Sequence, residues 1–373
     1  MLGVNGSEVC RRRVTLPVLL LIAVLTGCGK HEEPAPAQPQ PQAKAAMESD
    51  WAAVEHCLGL IRQCQMPDGM IRMKSEGDAV WMVSYFSNLG AIALLAANEI
   101  RPNAGDVARA GRWLAWYARH QETDGTIFDR EGTTRSHQSN GKRDATDSYA
   151  ATFLMAAWRY QRAIGQRPSA EIIEAAQKSM AAIEAVAQAD GLTIAKPDYA
   201  IKFLMDNIEV HQGLTEGAQF FDSVGLKTEA RKARTMAARL AGSLGQYWSE
   251  PGQHFAYALD LKGNFSSGLA EPYPHGLAQL FALSYLSPAR PGLWAKVNLT
   301  FKPDQKGIPV ERWLIAATRH AGAKEKEVLR LATRKSALIF SHKNVYVERP
   351  AMAILALIDG KARFAEVPGS GKK

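Results

Sequence analysis

The sequence predicts an all-α domain over residues 48–358, built as a toroid of about six helical hairpins, and three observations carry that prediction. From residue 48 onward the apolar positions recur at helical spacing in segment after segment, while β-branched runs of period two are nearly absent. The segments alternate between helices with one polar face and helices apolar nearly all round, which must be buried. A turn motif also repeats: Gln65-Met66-Pro67-Asp68-Gly69-Met70-Ile71 is echoed by Gln121-Glu122-Thr123-Asp124-Gly125-Thr126-Ile127 and more weakly by Gln188-Ala189-Asp190-Gly191-Leu192. Repeated pairs of this kind place an outer ring of helices around an inner one.

The chain begins with Arg11, Arg12 and Arg13 ahead of an apolar run from Val14 to Leu25, a pattern that reads as an export signal. The run is shorter than the roughly 20 residues needed to span a bilayer core, so a retained membrane helix is the weaker reading. Leu25-Thr26-Gly27-Cys28 resembles the bacterial lipobox. That resemblance implies cleavage before Cys28, lipidation of its sulfur and a membrane anchor facing the periplasm; with Gly29 in place of aspartate it favours the outer membrane over the inner. Residues 28–47 are rich in Pro, Gln and Ala and read as a disordered tether, and residues 359–373 as a flexible tail.

The periodicity predicts helices over 48–64, 79–98, 104–120, 145–165, 169–188, 199–222, 226–246, 273–286, 290–297, 309–322, 324–339 and 349–358. The least regular stretches are 122–143, 247–270 and 298–308, with Phe255 to Asp260 a short strand. Each Asp-Gly turn closes an outer helix, and its following Ile or Leu pins the loop to the core. An acidic residue then opens a more apolar helix: Asp78, Asp144 and Asp206, followed in the later hairpins by Glu271, Glu311 and Glu348. Cys57 and Cys64 would lie roughly 10 Å apart on a continuous helix, beyond disulfide reach, so a bridge requires the helix to end between them.

The formal charge of +8 falls to about +6 when the signal leaves with Arg11, Arg12, Arg13 and Glu8. Basic residues are scattered, without a dense run beside stacking aromatics, which argues against nucleic acid as a partner. No metal site and no cofactor is suggested.

The helix-turn-Asp-Gly-helix repeat resembles the six-hairpin glycosidase superfamily over roughly residues 48–358. The stretches Asp144-Ala145-Thr146-Asp147-Ser148-Tyr149 and Tyr199 through Val210 add to the likeness. The resemblance implies an (α/α)6 toroid whose chemistry sits in a funnel at the ends of the inner helices and uses carboxylates on a carbohydrate. Terpene-cyclase-like toroids share Gln-x-x-Asp-Gly turns, but the sequence has no aspartate-rich diphosphate motif.

With the inner helices parallel, their amino ends gather Asp78, Asp144, Asp147, Asp206, Glu209, Glu271, Glu311 and Glu348 at one rim. Glycosidic hydrolysis needs one protonated and one ionised carboxyl, and like-charge neighbours and burial can produce that split. The catalytic candidates are Asp144 and Asp147 first, Asp206 and Glu209 second. Trp81, Tyr85, Tyr149, Tyr273, His211, His275 and Asp78 are candidates for holding sugar. Each acid also has a structural reading: Asp206-Asn207-Ile208-Glu209 forms a capping box with Met205 and Val210 as its staple, and first-turn acids complement the helix dipole. Glu216 shares the face of Glu209, whereas Trp113, Trp116 and Trp158 stand at core spacing. The reading is a glycoside hydrolase acting on a polysaccharide or oligosaccharide. The alternatives are a polysaccharide lyase drawing on Tyr149 or Tyr273, His211 or His275 and Asn207, and a non-catalytic glycan-binding or envelope-assembly lipoprotein.

Overall fold

The structure, a computed structural model, describes residues 41–358 except 267, 288, 289 and 304–306, together with 367 and 368. The export signal, Cys28 and most of the tether and tail lie outside these residues. Among the described residues twelve α-helices form six hairpins: α1 (Pro41–Cys64) with α2 (Ser84–Ile100), α3 (Ala104–His120) with α4 (Asp147–Ile164), α5 (Ala170–Val186) with α6 (Leu204–Ser223), α7 (Lys227–Ser243) with α8 (Leu277–Tyr285), α9 (Leu293–Thr300) with α10 (Val310–His320), and α11 (Ala323–Leu338) with α12 (Glu348–Leu357). None of these is long and apolar enough to cross a membrane.

Even-numbered helices make the inner ring, α2 packing on α4, α4 on α6, α6 on α8, α8 on α10, α10 on α12 and α12 back on α2. Their composition explains their place. In α4 every residue from Asp147 through Ala157 is buried, whereas α3 buries only the stripe of Asp106, Ala110, Trp113, Leu114, Trp116 and Tyr117. Trp113 and Trp116 stack on each other in the core, and the indole of Trp113 donates to Asn88 Oδ1 at 2.9 Å. The ring closes where the last hairpin meets the first: His56 Nε2 lies 2.9 Å from the Phe340 carbonyl, Val347 N donates to Met73 O at 2.8 Å, and Arg330 pairs with buried Asp50.

The repeated turns dock each of the first three hairpins on the next. Asp68, Asp124 and Asp190 each accept, through Oδ1, the backbone N–H two residues on, from Met70, Thr126 and Leu192. Gln65 Nε2 donates to the Arg109 carbonyl on α3, and Gln121 Nε2 to Ser179 Oγ on α5, so a glutamine clamps each of these turns to the following outer helix. Gly69, Gly125 and Gly191 hold φ of 105°, 85° and 90°, a region that a side chain resists. A Cβ on Gly69 would lie 2.7 Å from the Arg112 carbonyl oxygen, and one on Gly125 would strike the Lys178 carbonyl.

Several boundaries differ from the sequence reading. Helix α1 reaches back to Pro41, into the stretch read as tether, in keeping with the helical propensity of Ala43-Lys44-Ala45-Ala46-Met47. Residues 79–82 are a strand, β1 (Ala79–Met82), and α2 starts only at Ser84. Val80 and Met82 point inward while Ala79 and Trp81 point out, a period of two that the adjoining apolar helix hides. β1 pairs antiparallel with β2 (Arg130–Thr133), which pairs with β3 (His137–Ser139). Residues 202–203, read as helix, form a strand with Ala258–Leu259, and the expected strand at 255–260 is two short ones, His254–Phe255 and Ala258–Leu259. α1 runs unbroken through Cys57 and Cys64; both are free, and burial pushes each thiol up to about 12.

The docking role of the turn glycines is testable by thermal denaturation. Gly125→Ala is expected to cost about 1–3 kcal/mol through strain and collision, seen as a lowered Tm. Gly165→Ala, at φ 63° with open space around it, is the milder control; equal Tm losses in the two variants would contradict the docking role.

Candidate functional site

The amino ends of the inner helices share one rim, and a cavity of about 470 Å³ opens there between the β1–β3 sheet and the loops leading into α4 and α6. Its walls include Trp81, Asp129, Arg143, Asp144, Tyr149 and Lys196. Trp81 projects from the outward face of β1 and remains 45% exposed, its ring set edge-on to Tyr346 at 5.4 Å. Asp129 is held by its backbone, donating to the Lys142 carbonyl and accepting from Asn140 N–H. Its side chain accepts from the Tyr149 hydroxyl at 3.1 Å, and burial pushes its pKa up to about 6 despite that bond. The same hydroxyl accepts from the backbone N–H of Asp144 at 3.3 Å, fixing the residue whose carboxyl is exposed on the cavity wall.

Asp206 stands in the first turn of α6, half-buried, and its carboxyl makes no hydrogen bond or ion pair with a described residue. Burial, then the charges of Asp147 and Asp144, raise its pKa well above the carboxylate range. One turn further along, Glu209 is buried and accepts the Tyr85 hydroxyl at 2.6 Å; burial and the Asp206 charge push it up to about 8. Asp147 is fully buried, with Oδ1 taking the Ser148 N–H at 2.8 Å and Oδ2 the Thr193 hydroxyl at 2.7 Å. Burial still lifts it to about 7. Tyr273, 59% exposed, has its phenol raised by partial burial and then by the charges of Asp144, Asp206 and Glu348.

The structure thus gathers Asp144, Asp147, Asp206, Glu209, Tyr85, Tyr149 and Tyr273 within reach of one another's charge. Other candidates lie apart from that group. Asp78 opens no helix: it sits ahead of β1 and its carboxylate takes the backbone N–H and hydroxyl of Thr134, pinning the sheet. His211 is buried and burial lowers it to about 4, leaving it neutral. His275 packs edge-on against Tyr257 and takes the Glu271 N–H. Glu311 is buried against Arg349, and Glu216 against Arg159, as structural ion pairs. Asp206 falls inside α6, whose N-cap is Phe203, so no capping box forms on it.

Sequence reasoning passed over Asp129, Tyr346 and Arg312. Arg312 is buried in the first turn of α10. Burial opposes its charge, yet Tyr85, Tyr285, Glu348 and Glu209 hold it protonated. For Asp129 a faint signal existed, an acid two residues beyond the isoleucine that anchors an Asp-Gly turn.

Raised carboxyl pKa values have a stability consequence whose sign is fixed. The folded protein binds more protons than the unfolded chain between the ordinary values of Asp147 and Glu209, 3.8 and 4.5, and their folded values of about 7 and about 8. Their contribution to stability is therefore fully present below the ordinary values and is lost as pH rises toward 8. Tm measured from pH 4 to pH 9 is expected to fall, and Glu209→Gln, which keeps an acceptor for Tyr85, is expected to flatten that fall. A Gln variant as pH-sensitive as the parent would exclude Glu209 as a source.

No protein-family model matches the chain, and no curated protein matches it. Solved structures do. A rhamnosidase from Klebsiella oxytoca with rhamnose bound is similar over 83% of this chain and 63% of its own, at 12% identity and a TM-score of 0.56, so the chain spans less than two thirds of that protein. A cold-adapted family 8 xylanase in complex with substrate is similar over 87% of this chain and 93% of its own, at 9% identity and a TM-score of 0.55. For an alpha-amylase from Clostridium perfringens the figures are 83%, 98%, 10% and 0.53. At such identities the likeness is one of fold: the chain has the (α/α)6 toroid of the six-hairpin glycosidases.

Proposed function

We propose that the protein is a glycoside hydrolase acting on a polysaccharide or oligosaccharide, with Asp206 as the general acid and Asp144 as the carboxylate opposite it. The observation that carries this reading is the contrast between the two groups at one rim. Asp206 is half-buried, unbonded to any described residue and biased toward its protonated form, whereas Asp144 is exposed on the cavity wall. Such a split is what cleavage of a glycosidic bond requires. Asp206 gives its proton to the leaving oxygen as the carbon–oxygen bond breaks. Asp144 either takes a proton from the attacking water or attacks the carbon itself, depending on whether the carboxyls stand roughly 6.5–9.5 or 5–5.5 Å apart. Burial and the charge of Asp147 keep Asp206 toward its protonated form, and the Asp206 charge in turn raises Glu209. The sugar-binding solved structures of the same fold support the substrate class.

A lyase needs a group able to accept a proton from carbon. The phenols of Tyr149 and Tyr273 are raised, by burial and by neighbouring acids, and His211 is buried, so that reading has less support. The proposal includes the anchor: a lipid on Cys28 holding the toroid at the periplasmic face of the outer membrane. Labelled palmitate incorporation is expected in the parent and lost in Cys28→Ala; equal labelling would remove the anchor.

Incubation of the purified protein with neutral, acidic and amino polysaccharides is expected to release new reducing ends. Asp206→Asn and Asp144→Asn should each lower kcat by about 10²–10⁴-fold, and the raised acid should place the loss of parental activity on the alkaline side. Glycan binding without turnover would turn the reading to a non-catalytic glycan-binding protein, and unchanged turnover in both variants would remove these two residues from the site.

A further inference from the structure

The strongly exposed aromatic side chains among the described residues are Trp81, Tyr199, Phe265, Tyr273 and Tyr346. All five belong to the rim where the inner helices begin. Trp81 precedes α2 and Tyr346 precedes α12; Tyr199 precedes α6, and Tyr273 precedes α8. Phe265 is on the short strand that pairs with Ala258–Leu259, itself paired to the Lys202–Phe203 strand that leads into α6. Large apolar rings left in water at one end of a molecule point to a ligand that covers them.

Their order around the ring carries more. The inner helices follow one another as α2, α4, α6, α8, α10, α12 and back to α2. In such a hexagon the α12–α2 edge faces the α6–α8 edge. Trp81 and Tyr346 form a contiguous pair on the first edge, and Tyr199, Phe265 and Tyr273 occupy the second. Helices pack at roughly 8–10 Å, so opposite members of a six-membered ring stand roughly 16–20 Å apart, the length of several sugar rings. Asp144, on the cavity wall ahead of α4, lies between the two edges, and Asp206 stands on the second of them, in the first turn of α6; both act electrostatically on Tyr273.

We infer that the rim holds an extended glycan chain laid across the bore, with aromatic subsites on both sides of the acids, so that cleavage falls inside the chain and not at its end. This rests on the proposed reading of the rim as a sugar site. Trp81 with Tyr346 stacks sugar rings on one side of the scissile bond, and Tyr199 with Tyr273 on the other. A single-sided cluster would suit a short terminal sugar; the two-sided arrangement uses its far aromatics only when the ligand is long enough to reach them.

The test uses the full-length protein with carboxymethyl cellulose, xylan, polygalacturonate and chitosan, and with oligosaccharides of increasing length from whichever is recognised. Binding is measured by titration calorimetry on the Asp206→Asn variant, so that it is independent of turnover. Affinity is expected to rise with chain length and then level off. Trp81→Ala and Tyr199→Ala are each expected to weaken binding of the longest oligosaccharide about tenfold, with Tm unchanged as a check on folding. With the active protein, mean chain length should collapse early, giving a ladder of oligosaccharides. Length-dependent, two-sided binding without turnover upholds the subsites while the hydrolase reading fails. Turnover that releases a terminal sugar while mean chain length barely changes, or affinity indifferent to length, overturns the inference while leaving a hydrolase. Binding to none of the four polysaccharides overturns both.

Discussion

The toroid depends on a turn in which three side-chain types do separate work. Aspartate oxygen takes the N–H two residues on and fixes the turn; in the first two copies glutamine reaches to the next outer helix; glycine removes the Cβ that would hold that helix away. Because Gly69 and Gly125 lie against carbonyls of α3 and α5, each hairpin is placed by the one that follows it. Repeated through the first three hairpins, that offset starts the curl of the ring and sets their inner helices side by side. Everything at the rim follows from it, since residues far apart in sequence meet only where parallel helices share an end.

Ring closure also sets the electrostatics. An acid in the first turn of a helix is favoured by the helix dipole, by about 0.3–1 kcal/mol. Glu209 is raised from 4.5 to about 8, which corresponds to something on the order of 5 kcal/mol against its charged form. Loss of water therefore wins over the Tyr85 hydrogen bond, and for the first-turn acid Asp147 over the dipole as well. Asp147 makes the point more sharply, because two donors to its oxygens still leave it near 7. Crowding acids into an enclosed bore keeps protons on some of them. The fold accepts lower stability at neutral and alkaline pH as the consequence.

Helix positions and the Asp-Gly turns were legible because they rest on local chemistry: period, turn geometry and glycine. The strand at Ala79–Met82 was not, since its four residues run straight into the apolar start of α2 and only its pairing with β2 reveals the alternation. Asp78 looked like a cap because its partner, Thr134, is 56 positions away and invisible to local reasoning. Asp129 sits in a stretch without periodicity, and what makes it notable is contact with Tyr149 on another element. Arg312 has no motif; what sets it apart is the two phenols and two acids that other hairpins bring to it. Chemistry assembled across hairpins leaves little trace in any one segment.

The distinction between Asp147 and Asp206 shows how small a shift separates a structural acid from an available one. Both are first-turn acids of inner helices, and the sequence offered the same two readings for each. A helix-terminal acid that accepts a backbone N–H spends an oxygen on it. Asp147, the first residue of α4, does so with Ser148 and gives its other oxygen to Thr193, so it is enclosed. α6 begins two residues ahead of Asp206, with its N-cap at Phe203, which lifts Asp206 past the position where capping would consume it. Its neighbour Asn207 takes the local work instead, accepting Thr193 N–H and donating to the Thr193 and Phe203 carbonyls. The register of the helix start, set by the short strand Lys202–Phe203 pairing with Ala258–Leu259, thus leaves one carboxyl of the cluster uncommitted at the rim.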